Sequence, residues 1–216
     1  MIQVKQFTFN VFSENTYLLY DETREAAVID CGCMRQHEEK EFSAFIADNH
    51  LTLKRLLCTH YHFDHVVGNS FIFGKYGLKP EIHRNERGDT VPTLAMQAEA
   101  FGFAATVEDV DTEHYIEDNE ELLFGASALQ ALLVPGHSPA SLAFYCKASK
   151  TVFSGDTLFQ SSIGRTDLWG GNYARLITSI RDRLLTLPDA VKVYPGHGPA
   201  TSISFEKRNN PYLTGV

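Results

Sequence analysis

A basic surface is what this chain of 216 residues most plainly lacks: 19 lysines and arginines stand against 27 aspartates and glutamates, a formal charge of −8. A protein that grips nucleic acid needs a local cationic excess, so that partner class is not expected. No apolar run approaches the roughly 20 residues needed to cross a bilayer, so no membrane partner is expected either. The opening Met1-Ile-Gln-Val-Lys-Gln-Phe7 carries neither a basic leader nor an apolar signal core, which favours a cytoplasmic location. Only four cysteines occur, Cys31, Cys33, Cys58 and Cys146, without the spacing of a thiolate zinc framework. A reducing cytosol disfavours a Cys31–Cys33 disulfide. Cys58 and Cys146 lie in apolar stretches and read as buried thiols, whereas Cys31 and Cys33 leave open a redox-sensitive or substrate-facing role. Low-complexity tracts, charge blocks and fixed-period repeats are also missing, and the length suits one compact domain over residues 1–216. Nothing in the pattern speaks to oligomeric state.

What the chain has is a dense cluster of donors. Thr59-His-Tyr-His-Phe-Asp-His65 places three of the nine histidines and an aspartate within six residues, directly after a leucine-rich stretch ending at Cys58. His60 and His62, two apart, can reach one ion from an extended loop; adjacent Asp64 and His65 point differently and can serve a second. Two divalent ions are therefore the expected cofactors. Imidazole and carboxylate without thiolate suit Zn²⁺, the first expectation, and fit Fe²⁺ or Mn²⁺ as well. Three later segments offer further donors, each after an apolar run and each beside glycine: Val134-Pro-Gly-His137, Phe153-Ser-Gly-Asp156 and Tyr194-Pro-Gly-His197. His37, His50, His83 and His114 sit in unmotivated settings and read as surface or hydrogen-bonded residues.

Periodicity predicts strands near Gln3–Phe9, Asn15–Tyr20 and Ala26–Asp30 in an antiparallel meander, then an amphipathic helix over Glu38–Asn49. A strand ending at Cys58 and a helix over Val66–Tyr76, with Asp64 and His65 at its amino terminus, follow. The stretch Asn85–Phe101 is ambiguous: Pro92 marks a boundary or the first turn of a helix, and Met96 and Phe101 are expected as core rather than as the lining of a substrate entrance. Strands at Glu121–Phe124, Leu129–Val134, Leu142–Cys146, Thr151–Ser154 and Val191–Tyr194 and a helix at Tyr173–Thr186 complete the reading.

Taken in order, Asp30-Cys-Gly32, the histidine cluster, His137, Asp156 and His197 resemble the motifs of the metallo-β-lactamase superfamily across most of the chain. Gly155-Asp-Thr-Leu-Phe159, Gly164-Arg-Thr-Asp-Leu168 and Tyr194-Pro-Gly-His-Gly198 most resemble short bacterial glyoxalase II, the hydroxyacylglutathione hydrolases. The resemblance implies an α/β fold, a four-layer αβ/βα sandwich of two mixed β-sheets. It implies His60, His62 and His137 on one metal, Asp64, His65 and His197 on the other, and Asp156 bridging. Asp64 and Asp156 then serve catalysis by holding a metal-bound hydroxide that attacks a small thioester, S-lactoylglutathione being the expected substrate. Arg165 and Asp167 are candidate substrate contacts, with internal pairing as the competing reading. Lys207 and Arg208 read as solvated charges. The alternative activity is a mononuclear Fe²⁺ persulfide dioxygenase acting on a glutathione persulfide, with His60, His137 and Asp156 as its facial ligands. The short span between Asp156 and His197 leaves no room for a nuclease cap, and the absent export signal argues against antibiotic hydrolysis. Only nineteen residues follow His197, so the helical tail that grips glutathione in longer glyoxalase II enzymes is not expected.

Overall fold

The computed structural model describes residues 1–103 and 107–214. Its backbone groups into two compact units, Met1–Ile82 with Pro92–Tyr115 and Leu123–Ala128, and His83–Val91 with Ile116–Leu122 and Leu129–Val216.

The first unit opens with strands β1 (Gln3–Phe9), β2 (Glu14–Tyr20) and β3 (Glu25–Ile29), an antiparallel meander as the alternation predicts. Helix α1 (Gln36–Asp48) returns the chain so that β4 (Thr52–Leu57) pairs parallel with β3. Two short helices, α2 (Phe63–Val66) and α3 (Asn69–Tyr76), lead to β5 (Pro80–Ile82), parallel to β4. Helix α4 (Leu94–Ala100) precedes β6 (His114–Tyr115), and the six strands run in chain order across the sheet. Phe42 and Ile46, one turn apart on α1, pack with Phe7, Leu18, Val28 and Leu56 in a buried cluster. Glu38 fixes the start of that helix: its carboxylate accepts from the amides of Met34 and Arg35, each at 2.8 Å, and from Asn10 N–H at 2.8 Å. A carboxylate at the third helical position can reach back in this way to the backbone amides just ahead of the helix.

The expected helix over Val66–Tyr76 is in fact two. It breaks at Gly68, whose N–H donates to the Cys31 carbonyl at 2.8 Å. A Cβ there would stand 2.6 Å from Cys31 Sγ, so only glycine lets the chain pass this close. Asp64 and His65 consequently lie inside α2 rather than ahead of a longer helix.

The second unit holds most of the other sheet, formed by β7 (Glu121–Phe124), β8 (Ser127–Leu133), β9 (Leu142–Cys146), β10 (Thr151–Gly155), and, after the small hairpin β11–β12 (Leu158–Phe159, Ser162–Ile163), β13 (Lys192–Pro195) and β14 (Thr201–Ser202). Their order is β14-β13-β10-β9-β8-β7, with β10 and β13 parallel and β8–β9, β9–β10 and β13–β14 antiparallel. Helix α5 (Tyr173–Ser179) continues as a π-helical turn through Leu184, and α6 spans Ile203–Asn209. Leu176, Ile180 and Leu184, spaced four apart, pack on Leu132, Val152 and Val193. Among the described residues no helix is long and apolar enough to cross a membrane.

Candidate metal centre

In the first unit the ligand loop begins where β4 ends. Asp30, at the tip of the neighbouring strand β3, is 2% exposed and receives three hydrogen bonds: Thr59 N–H at 2.7 Å, the Thr59 hydroxyl at 2.8 Å and His65 Nδ1 at 3.0 Å. The Thr59 hydroxyl proton is thereby spent on Asp30, so its oxygen accepts from His60 Nδ1 at 2.9 Å. A carboxylate can only accept, which puts the His65 proton on Nδ1, and the Thr59 hydroxyl, already donating to Asp30, can only accept from His60. His60 and His65 are thus Nδ1–H tautomers, with Nε2 the nitrogen able to ligate a cation. Their ring centroids lie 4.2 Å apart, with the His62 ring 4.6 Å from that of His60. Asp64 Oδ2 lies 3.7 Å from His65 Nε2.

In the second unit β10 and β13 end side by side, and Gly196 N–H donates to the Gly155 carbonyl at 2.8 Å, tying together the turns that carry Asp156 and His197. His137 follows β8; its Nδ1 donates to the Arg165 carbonyl at 2.8 Å, which gives it the same tautomer as His60 and His65. Asp156 Oδ2 stands 3.7 Å from His137 Nε2 and 3.6 Å from His197 Nε2. Each gap exceeds a hydrogen bond. Two donors each about 2.1 Å from one tetrahedral ion stand about 3.4 Å apart, so these spacings fit ligands that share a cation. The donor chemistry and the outward-facing Nδ1–H bonds fit the divalent ions that the sequence predicts.

Gly164 places Asp156 and His137: a Cβ there would lie 1.8 Å from the Asp156 carbonyl oxygen and 3.2 Å from His137 Nδ1. In the same segment Arg165 and Asp167 form a two-pronged ion pair at 2.7 and 2.8 Å, both side chains exposed. The hydrogen bond from Arg165 holds the Asp167 carboxyl down at about 2. Internal pairing is therefore the arrangement present. Phe159, on β11, sets its ring 6.4 Å from that of His197, and the hairpin bearing it is tied to the last helix by Ser161 N–H to Glu206 at 3.0 Å and Asn210 Nδ2 to the Ser162 carbonyl at 3.0 Å.

Several supporting residues carry no sequence signal. Buried Glu86 accepts from Ser138 Oγ at 2.6 Å and Ala140 N–H at 2.7 Å, bracing the loop after His137. Met96 and Phe101, expected in the core, are 59% and 37% exposed, although Phe101 packs on Phe12 with ring centroids 5.4 Å apart. All four cysteines are buried and none is in a disulfide; Cys33 of the Cys31–Cys33 pair lines a cavity of about 380 Å³, with Met34, Phe63, Val67, Phe71 and Phe103. The hydrogen bond with Cys31 and then burial push the Cys33 thiol up, away from the reactive thiolate. His83 accepts from Asn85 N–H at 3.1 Å, a structural role as expected.

Known proteins resemble this chain over nearly its whole length. The chain is 38% identical over 202 residues to the probable metallo-hydrolase YqgX of Bacillus subtilis, covering 93% of this chain and 92% of that one. It is 36% identical over 204 residues to the hydroxyacylglutathione hydrolase GloC of Haemophilus influenzae, covering 94% and 93%. Among solved structures, the BLEG-1 B3 metallo-β-lactamase superposes with a TM-score of 0.86 at 32% identity, over 99% of this chain and 100% of that one. TTHA1623 in a di-iron-bound form gives 0.85 at 34%, over 97% and 100%. ETHE1 from Myxococcus xanthus gives 0.81 at 28%, over 99% and 85%. The two mixed sheets with flanking helices are thus those of the metallo-β-lactamase fold, as the motifs imply. The family model described as the metallo-β-lactamase superfamily matches residues 9–197, from the end of β1 to the last of the histidines discussed above, and to that superfamily this chain belongs.

Proposed function

We propose that this protein is a dinuclear metal hydrolase of small thioesters, with S-lactoylglutathione the leading substrate. The observation that carries the reading is the single Asp156 oxygen spaced almost equally from His137 Nε2 and His197 Nε2. A carboxylate oxygen so placed would suit a ligand shared by two ions. His60, His62 and His137 would then hold one ion and Asp64, His65 and His197 the other. The likeness to GloC supports the substrate class, and the di-iron-bound relative supports a two-ion centre without deciding between zinc, iron and manganese.

When bound, paired divalent ions lower the pKa of water and polarise a carbonyl, so no serine, cysteine or lysine nucleophile is needed. The chain's part is to hold the donors still. Asp30 and the Arg165 carbonyl fix imidazole orientation and raise the basicity of the inward nitrogens. Asp64 and Asp156 bring negative charge to the cations. A thiolate leaves without much protonation, so the absence of a placed general acid among the proposed ligands suits a thioester better than an amide.

A second reading, a mononuclear Fe²⁺ persulfide dioxygenase, draws on the likeness to ETHE1. Metal analysis of protein purified without added metal, paired with thioester-cleavage and oxygen-uptake assays, separates the two. Two ions per chain with thioester turnover and no oxygen use supports the hydrolase; one iron with oxygen consumption against glutathione persulfide overturns it. A β-lactam in the same panel tests the activity named for the BLEG-1 relative.

A further inference from the structure

Helix α4 reaches the ligand loop through one side chain. Gln97 is fully buried, and its carboxamide accepts from Phe63 N–H at 3.0 Å while donating to the Tyr61 carbonyl at 2.9 Å and the Pro92 carbonyl at 3.0 Å. The Tyr61 carbonyl belongs to the peptide before His62, and the Phe63 N–H to the peptide after it. Both peptide planes that flank the His62 Cα therefore end on a single amide. His62 itself lies at φ −77° and ψ 145°, immediately ahead of α2, and no side chain of its own caps that helix. Gln97 satisfies the first orphan amide of α2 from across the fold.

The same stretch of chain pins the rest of the tripeptide. Asp109 accepts from the Tyr61 hydroxyl, and the Phe103 ring stacks on Phe63 with centroids 5.3 Å apart. With both flanking peptides hydrogen-bonded to one carboxamide, a change at Gln97 would be felt in the backbone angles of His62. The leverage is large: about 10° of rotation over an arm of roughly 5 Å moves Nε2 by about 0.9 Å, against a tolerance of about 0.2 Å in metal–ligand distance.

We propose that Gln97 is a positioning residue for the metal centre, fixing the two torsions that aim His62. This rests on His62 being a metal ligand, as proposed above. Gln97→Met removes both arms of the clamp at similar volume. Gln97→Glu keeps the acceptor for Phe63 N–H but turns a second oxygen toward the Tyr61 and Pro92 carbonyls. Met96→Ala, exposed on the same helix, is the control.

The readouts are the rate at which a chelator withdraws ions from the loaded protein and the visible ligand-field spectrum of the Co²⁺-substituted protein, with thermal unfolding of the metal-free forms followed in parallel. Ion release about 10- to 100-fold faster and an altered Co²⁺ spectrum in both Gln97 variants, with wild-type values in the control, is the expected result. Wild-type release rates and spectra in the Gln97 variants, whatever their unfolding temperature, overturn the assignment. So does failure of both variants to fold, which would make the clamp purely structural. A wild-type protein that binds no divalent ion would instead sink the dimetal reading itself, so the two failures are distinct.

Discussion

The imidazole of His137 donates to the main-chain carbonyl of Arg165, not to its side chain, at 2.8 Å. The Gly-Arg-Thr-Asp segment thus serves the metal centre through its backbone, and the guanidinium is left to hold the loop's shape by pairing with Asp167. Two predictions separate these duties.

Gly164→Ala must push a methyl group against the Asp156 carbonyl, which lies 1.8 Å from the ideal Cβ position. Either the Asp156 turn or the His137 ring has to move. Metal content, measured by mass spectrometry after gel filtration, should drop below the wild-type stoichiometry, with a matching loss of turnover. Full occupancy in a folded variant would mean the loop can relax elsewhere.

Arg165→Lys keeps the charge but loses the fork that fits Asp167. The pair is exposed on both sides, so solvent screens it and the effect on stability should be small. We expect a slightly lower Tm with metal content and KM unchanged. A KM raised tenfold or more at wild-type Tm would show that the guanidinium meets the substrate instead.

Asp30→Asn leaves one oxygen where two now serve Thr59 and His65, and it forces an amide N–H toward groups that already donate. Metal affinity should fall by about 10- to 100-fold, the range typical of such supporting partners. Competition with a chromophoric chelator measures it directly, and an unchanged affinity would remove Asp30 from the account of tautomer control.

Asp21 gives a stability prediction with a defined pH sign. Burial works against its ionisation, but hydrogen bonds from Thr23, at 2.6 and 3.0 Å, from Ser127 at 2.7 Å and from Ala126 N–H at 2.8 Å outweigh it and lower the carboxyl's pKa. A group depressed on folding stabilises fully above its unfolded value, near 3.9 by the usual reference. That contribution is lost as pH falls through the lower folded value. Asp21→Asn should cost about 1–3 kcal/mol at neutral pH, and the gap to wild type should close on acidification toward pH 3. A gap that stays constant from pH 7 to 3 would contradict a charge-assisted origin.

Much of the architecture was legible because its signals are local and long. β1 matches the predicted Gln3–Phe9 span because Phe7 and Phe9 alternate with exposed Gln6 and Thr8, and α1 follows from Phe42 and Ile46. The short pieces, β5, β6, β14 and the β11–β12 hairpin, carry two or three residues each, too few for any period to show. The break between α2 and α3 is a tertiary event, imposed by Cys31 from more than thirty residues away. Within the site, the donors declare themselves by type and crowding. Their supports do not: Glu86 and Gln97 are ordinary polar residues until the fold buries them beside a ligand-bearing loop. A sequence shows who can bind a cation more readily than who holds the binder in place.

Glu206 and Asn210 reach back from the final helix to grip the hairpin whose Phe159 borders His197. The carboxyl-terminal segment thereby acts as a buckle on the wall beside that imidazole. Trimming it, or fusing a bulky tag through it, would slacken the hairpin beside His197 while leaving every proposed donor atom in the chain.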